Sequence, residues 1–153
     1  MENGVEILLV EDAPADAELT LRELRRNNLA NHVHVAEDGV DALDFIFCRG
    51  PFAARSFAAP PRLILLDLKL PRVSGIEVLR AIREDPRTKP IPVVIMTSSK
   101  EQRDLVEGYK LGVNAYIQKP VDFEEFRKVI QGVGMFWLVV NQPPPREMFT
   151  GQS

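Results

Sequence analysis

One cysteine and two histidines are the only thiol and imidazole groups in this chain of 153 residues. Cys48 has no second thiol to pair with, so an internal disulfide is excluded, and no CxxC or Cys/His grouping exists from which to build a zinc site. Alone, Cys48 reads as a small buried hydrophobe. An excess of basic charge is missing too. The 19 Lys and Arg stand against 22 Asp and Glu, for a net charge of -3, and no basic run extends beyond Arg25-Arg26. The electrostatic footprint of a nucleic-acid binder is therefore missing. No stretch approaches the roughly 20 apolar residues of a membrane span. The amino terminus starts acidic, and its apolar run of about six residues is too short for the core of a signal peptide. The expectation is a cytoplasmic protein that binds neither nucleic acid nor membrane.

What is present is ordinary globular composition, 45% hydrophobic and 27% charged, in a length that suits one domain. Leu63-Ile64-Leu65-Leu66-Asp67 organises it. Four consecutive apolar residues with neither a helical nor an alternating period fit a strand covered on both faces. Pro71 and Gly75 follow closely, so the strand stops near Leu68 and Asp67 falls at its carboxyl end, the edge where open α/β sheets bind ligands. Ile7-Leu8-Leu9-Val10 likewise runs into Glu11-Asp12.

A first helix follows, with Pro14 in its first turn, Asp16 and Glu18 before Arg22, Arg25 and Arg26, and an inner stripe of Ala17, Thr20, Leu21, Leu24 and Asn28. Val33 and Val35 alternate with His32 and His34 in a second strand. Asp38-Gly39 opens a helix carrying Val40, Leu43, Ile46 and Phe47. Arg49 to Pro61 is a loop of about a dozen residues, long for a compact domain; its Phe52 and Phe57 either cap the core or meet a partner. The strand ending at Asp67 leads to a helix with Ile76, Leu79 and Ile82 inward, ending near Asp85-Pro86. Pro90 to Ser98 holds a fourth strand, Lys100 to Leu111 a helix stopped by Gly112, Asn114 to Gln118 a fifth strand, and Asp122 past Val139 a last helix. Strand and helix alternate five times, which favours a parallel sheet with helices on both faces and right-handed crossovers.

Every strand but the second delivers a polar group to one edge: Glu11 and Asp12, Asp67, Thr97 and Lys119. Singly, each has a bland explanation as a cap or a turn; Asp16 and Asp38, outside this convergence, read as first-turn or capping residues. Three crowded carboxylates repel unless a cation sits among them, and hard oxygen donors without histidine or thiol suit Mg²⁺. The pattern Glu11-Asp12, Asp67, Thr97-Ser98 and Lys119-Pro120 resembles the receiver domain of two-component response regulators over about residues 5 to 133.

That resemblance implies a flavodoxin-like, doubly wound sheet of strand order 2-1-3-4-5. It implies Asp67 as phosphoacceptor from a sensor histidine kinase, with Thr97 and Lys119 assisting. Asp12 and Asp67 would ligate Mg²⁺ directly, Glu11 mostly through water, and Lys69 through its backbone carbonyl. The Lys119-Pro120 bond resembles the family's cis peptide. Thr97 and Tyr116 resemble its switch pair, which would remodel the face of helix four, strand five and helix five. Such a protein is not an enzyme beyond its own phosphorylation and a slow dephosphorylation.

The receiver would fill residues 1–133, leaving 134–153 as a helix extension and Pro-rich tail without a separate output domain. Met135 to Val140 is apolar all round a helix, so one domain cannot bury it whole. With Pro143-Pro144-Pro145 and the long loop, this resembles single-domain regulators that partner phytochrome-type and other sensor histidine kinases. Phe136, Trp137, Leu138, Val139 and Val140 would form a homodimer interface with the helix four, strand five and helix five face, or else fold back on their own domain. Phosphohydrolases of the haloacid-dehalogenase type share an aspartate, magnesium and a lysine, but need a second aspartate where Lys69 stands. The other alternative is a phosphorylation-independent dimeric docking module on the receiver fold.

Overall fold

The structure, a computed structural model, describes residues 7–26, 32–97 and 111–119 together with Glu124, Glu125, Arg127 and Lys128. The five strands are β1 (Ile7–Val10), β2 (Val33–Ala36), β3 (Leu63–Asp67), β4 (Val93–Thr97) and β5 (Ala115–Gln118). They form one sheet in the order β2-β1-β3-β4-β5, and every neighbouring pair is parallel. Three helices are described between them: α1 (Pro14–Arg26), α2 (Gly39–Ile46) and α3 (Gly75–Glu84).

The continuous apolar strands have the cause expected of them. Leu63 to Leu66, Ile7 to Val10 and Val93 to Met96 are all fully buried, because each alternate side chain finds a helix on its own face of the sheet. On one face Ile7, Leu9, Leu63, Leu65, Val94 and Met96 pack with Ala17 and Leu24 of α1. On the other, Leu8, Val10, Ile64, Leu66, Val93 and Ile95 pack with Ala42, Phe45 and Ile46 of α2 and Val78, Leu79 and Ile82 of α3. The inward stripe of α2 is thus Ala42, Phe45 and Ile46, with Leu43 and Phe47 at its margin, rather than the set that begins at Val40. Asp41 and Asp44, three apart, mark the polar face of α2, so its phase is set by the acids and not by the spacing of its apolar residues.

Local chemistry sets the helix starts. Asp38 caps α2 by accepting from the Asp41 N–H at 2.7 Å, as expected of it. Ser74 and Glu77 form a reciprocal capping box on α3. Arg83, at the end of α3, ties three segments together: it donates to the carbonyls of Lys89, Ile91 and Gly112, each at 2.8 Å.

The long loop packs on its own domain. A 3-10 turn at Gly50–Phe52 sets the Phe52 ring edge-on to His34 and Phe45, with centroids 5.2 and 5.1 Å apart. Phe57 meets Phe47 edge-on, and the Arg87 guanidinium lies 4.0 Å over its ring. Arg55 lies 3.7 Å over the Phe45 ring and donates to the carbonyls of Phe45 and Ala59. Cys48 is half-buried at φ 55, not the buried hydrophobe expected; it ends the turn after α2, where its Sγ accepts from Arg55 at 3.8 Å.

Candidate functional site

Parallel strands all end their carboxyl termini at one edge, so the sheet gathers the expected residues without any long-range coincidence. Register places Val10 beside Leu66, Asp67 beside Met96 and Thr97 beside Gln118. The residues just beyond β1, at the end of β3 and just beyond β5 therefore meet. Glu11, Asp12 and Asp67 each offer a carboxylate oxygen, all within 4.8 Å of one another. Lys119 reaches across to Asp67 Oδ2 at 3.0 Å and Glu11 Oε1 at 2.9 Å.

Asp67 is 4% exposed and Glu11 2%, so two of these charges are held largely away from water. Their remaining lone pairs are mostly satisfied. The Lys69 N–H donates to Asp67 Oδ1 at 3.1 Å, and the Ala13 N–H to Glu11 Oε2 at 3.2 Å. Glu11 Oε1 differs. It is buried, its approach to Lys119 is an ion pair without hydrogen-bond geometry, and no hydrogen bond reaches it. Burial pushes the Glu11 carboxyl up to about 7; Lys119 opposes that rise and the neighbouring Asp67 charge adds to it. Burial alone would lower the Lys119 ammonium, but the Glu11 and Asp67 carboxylates held against it outweigh that and raise its pKa.

A buried carboxylate oxygen lacking a hydrogen bond, inside an all-oxygen donor set, fits a hard divalent cation. Asp12 is exposed and completes that set from the solvent side.

The loop that follows Asp67 is clasped from two sides. A Cβ on Gly75 would come within 2.4 Å of the Asp67 carbonyl oxygen and 2.6 Å of Leu68 Cα. One on Gly39 would come within 2.0 Å of the Val73 carbonyl oxygen. The first residues of α2 and α3 thus lie against the backbone that carries the acid. Arg72, at φ 71 in this loop, ion-pairs with the α2 cap Asp38 at 3.0 Å.

Thr97 is the last residue of β4, with its backbone at the same edge, but its side chain lies outside the described set, as do Ser98 and Pro120 with the expected cis bond. Tyr116 is half-buried and packs at the rim of the α2 and α3 side of the core. Lys69 is exposed. The interface residues Phe136, Trp137, Leu138, Val139 and Val140 lie outside the described residues, as does nearly all of the helix expected after β4.

Asp16 corrects the sequence reading. Far from being only a first-turn acid, it ion-pairs with Lys119 at 3.2 Å. Its signal was faint: Asp12 and Asp16 are four apart, and a helix that begins at Pro14 turns Asp16 back over the strand end.

Comparison with known proteins agrees with this geometry. Residues 7–131 match the response regulator receiver domain family. Response regulator Rcp1 of Synechocystis sp. is 38% identical over 132 residues, 86% of this chain and 88% of that protein. Its Mn(2+)-bound form has been solved and superposes with a TM-score of 0.69. The bacteriophytochrome response regulator AtBRR is 48% identical with a TM-score of 0.83, covering 92% of this chain and all of that one. The phosphorylated cyanobacterial phytochrome response regulator RcpA is 36% identical with a TM-score of 0.71, over 93% of this chain and 99% of that one. No helix among the described residues is long and apolar enough to cross a membrane.

Proposed function

This chain belongs to the response regulator receiver domain family, and on that premise we propose that Asp67 accepts a phosphoryl group from a phosphohistidine on a sensor histidine kinase. One observation carries the reading: a strand-end carboxylate, 4% exposed, is held at 3.0 Å by the Lys119 ammonium among further acids. An Asp67 oxygen attacks phosphorus, and the new O–P bond forms as the N–P bond to the imidazole breaks. The departing ring nitrogen keeps the bonding electron pair and takes a proton from solvent. The transition state is loose, so the protein need only align the partners and neutralise oxygens. Lys119 places one positive charge there, and Thr97 at the end of β4 adds a hydroxyl.

Glu11, Asp12, Asp67 and the Lys69 carbonyl would hold Mg²⁺, which when bound neutralises charge on the entering phosphoryl oxygens. Thr97 and Tyr116 then act as the switch, and Lys119-Pro120 as the cis peptide that aims the ammonium. Output runs through a protein surface in the cytoplasm, with residues 134–153 extending the receiver and Phe136, Trp137, Leu138, Val139 and Val140 forming a homodimer contact.

The kinase we assign is of the phytochrome type, because AtBRR and RcpA are phytochrome response regulators. Phosphotransfer from an autophosphorylated bacteriophytochrome kinase tests this directly. Radiolabel should leave the kinase for the parent chain and not for Asp67→Asn; a kinase that keeps its label beside the parent contradicts the pairing.

A further inference from the structure

Three carboxylates share the Lys119 ammonium: Glu11 at 2.9 Å, Asp67 at 3.0 Å and Asp16 at 3.2 Å. They are not equivalent. The Glu11 and Asp67 side chains are 1% and 6% exposed, whereas Asp16 is 45% exposed. Asp16 therefore takes the solvent side of the ammonium, from the first turn of α1, while the other two hold it from within.

The contact to Asp67 is a hydrogen bond and those to Glu11 and Asp16 are ion pairs, so what a newcomer competes for is the single positive charge of the ammonium. A phosphoryl group on Asp67 would bring three strong acceptor oxygens and a charge of about -1.5 to -2. It arrives from solvent, the side that Asp16 occupies. We infer that Asp16 is a positioning residue that competes with the phosphoryl group for Lys119, holding the ammonium in the resting protein and yielding it as a phosphoryl oxygen arrives. This rests on the receiver reading above.

Two effects of Asp16 oppose each other, and their sizes decide the outcome. Its hold on Lys119 keeps the ammonium in place, but an ion pair with a half-exposed partner contributes little. Its charge also repels the phosphoryl group. The two contacts at Lys119 keep the Asp16 oxygen within about 6 Å of Asp67 Oδ2; at that range the negative charge that the phosphoryl group adds to Asp67 is repelled about as strongly as the weak pair holds in water, and more strongly at the lower dielectric beside a protein. Removing the Asp16 charge should therefore favour the phosphoryl-bound state.

Beryllofluoride, a phosphoryl mimic, tests this in the full chain with Mg²⁺, its affinity read from amide shifts in NMR spectra. Asp16→Asn should bind about three- to tenfold tighter than the parent, and Asp16→Glu should return to the parent value. Glu18→Gln removes the same charge from the same helix without touching the site, and should change nothing. A damaged fold would weaken binding, so tighter binding separates competition from a structural role. Unchanged or weaker binding in Asp16→Asn overturns the inference, as does an equal gain in Glu18→Gln. A parent that binds no beryllofluoride overturns the receiver reading and this inference with it, whereas binding that Asp16→Asn leaves untouched overturns the inference alone.

Discussion

Gly75 lies against the backbone of Asp67 so closely that a Cβ on it would stand 2.4 Å from the Asp67 carbonyl oxygen. The acceptor's position is thus set by the first residue of the next helix. Alanine is the better helix former by roughly 0.5–1 kcal/mol, but an overlap with backbone atoms that cannot turn aside costs about 1–3 kcal/mol. The overlap wins. Gly75→Ala should lower the urea midpoint and slow labelling by acetyl phosphate about tenfold or more, because displacement of a reacting group by an ångström is expensive. A variant with parental midpoint and rate would show that the clasp does not position Asp67.

The exposed Asp12 offers one of three clustered carboxylates. Asp12→Asn removes a charge from the donor set while leaving its shape. Even outer partners of metal ligands cost about 10–100-fold in affinity when lost, so Mg²⁺ binding measured by calorimetry should weaken at least as much. Folding should hardly change, since Asp12 buries little. Equal Mg²⁺ affinity in the variant would place the cation elsewhere.

His34 stacks on Phe45 with centroids 4.4 Å apart, and its buried Nε2 has no hydrogen-bond partner. Burial lowers its pKa below the ordinary 6.5; Asp41 opposes that and Arg55 adds to it. The unfolded chain therefore binds this proton more readily than the folded one. The stability tied to neutral His34 is complete above 6.5 and is lost as pH falls through the depressed folded value. His34→Phe keeps a stacking ring without the titration. Urea midpoints of parent and variant should diverge in the variant's favour as pH drops from about 7.5 to about 5.5, and parallel curves would contradict the assignment.

Dimerisation through residues 136–140 predicts a mass difference. By light scattering the full chain should weigh twice its monomer mass of 17.2 kDa, and a chain ending at Gly134 should be monomeric. Two monomeric masses would leave Trp137 and its neighbours to cover their own domain.

How much of this was legible beforehand follows from what each feature depends on. Leu63 to Asp67 announced a buried strand and its acid because burial on both faces leaves an unbroken apolar run, and Glu11, Asp12 and Lys119 fell into place because parallel strands end together. The strand order came with the receiver resemblance, since adjacency between β1 and β3 is not written in either strand. The Asp16 pair with Lys119 depends on the rotation of α1 about its axis, which a stripe of only Ala17, Thr20, Leu21 and Leu24 sets loosely. Arg83 was invisible as an anchor because its acceptor at Gly112 is a backbone carbonyl 29 residues away, and carbonyls carry no sequence signal.

The acceptor itself is tested most directly by intact mass. After incubation with acetyl phosphate and Mg²⁺, the parent should gain one phosphoryl group, about 80 Da, lose that gain when EDTA is present throughout, and Asp67→Asn should gain nothing. A parent that stays at its own mass, or an Asp67→Asn variant that gains the same increment, would contradict the assignment of Asp67 as the phosphoacceptor.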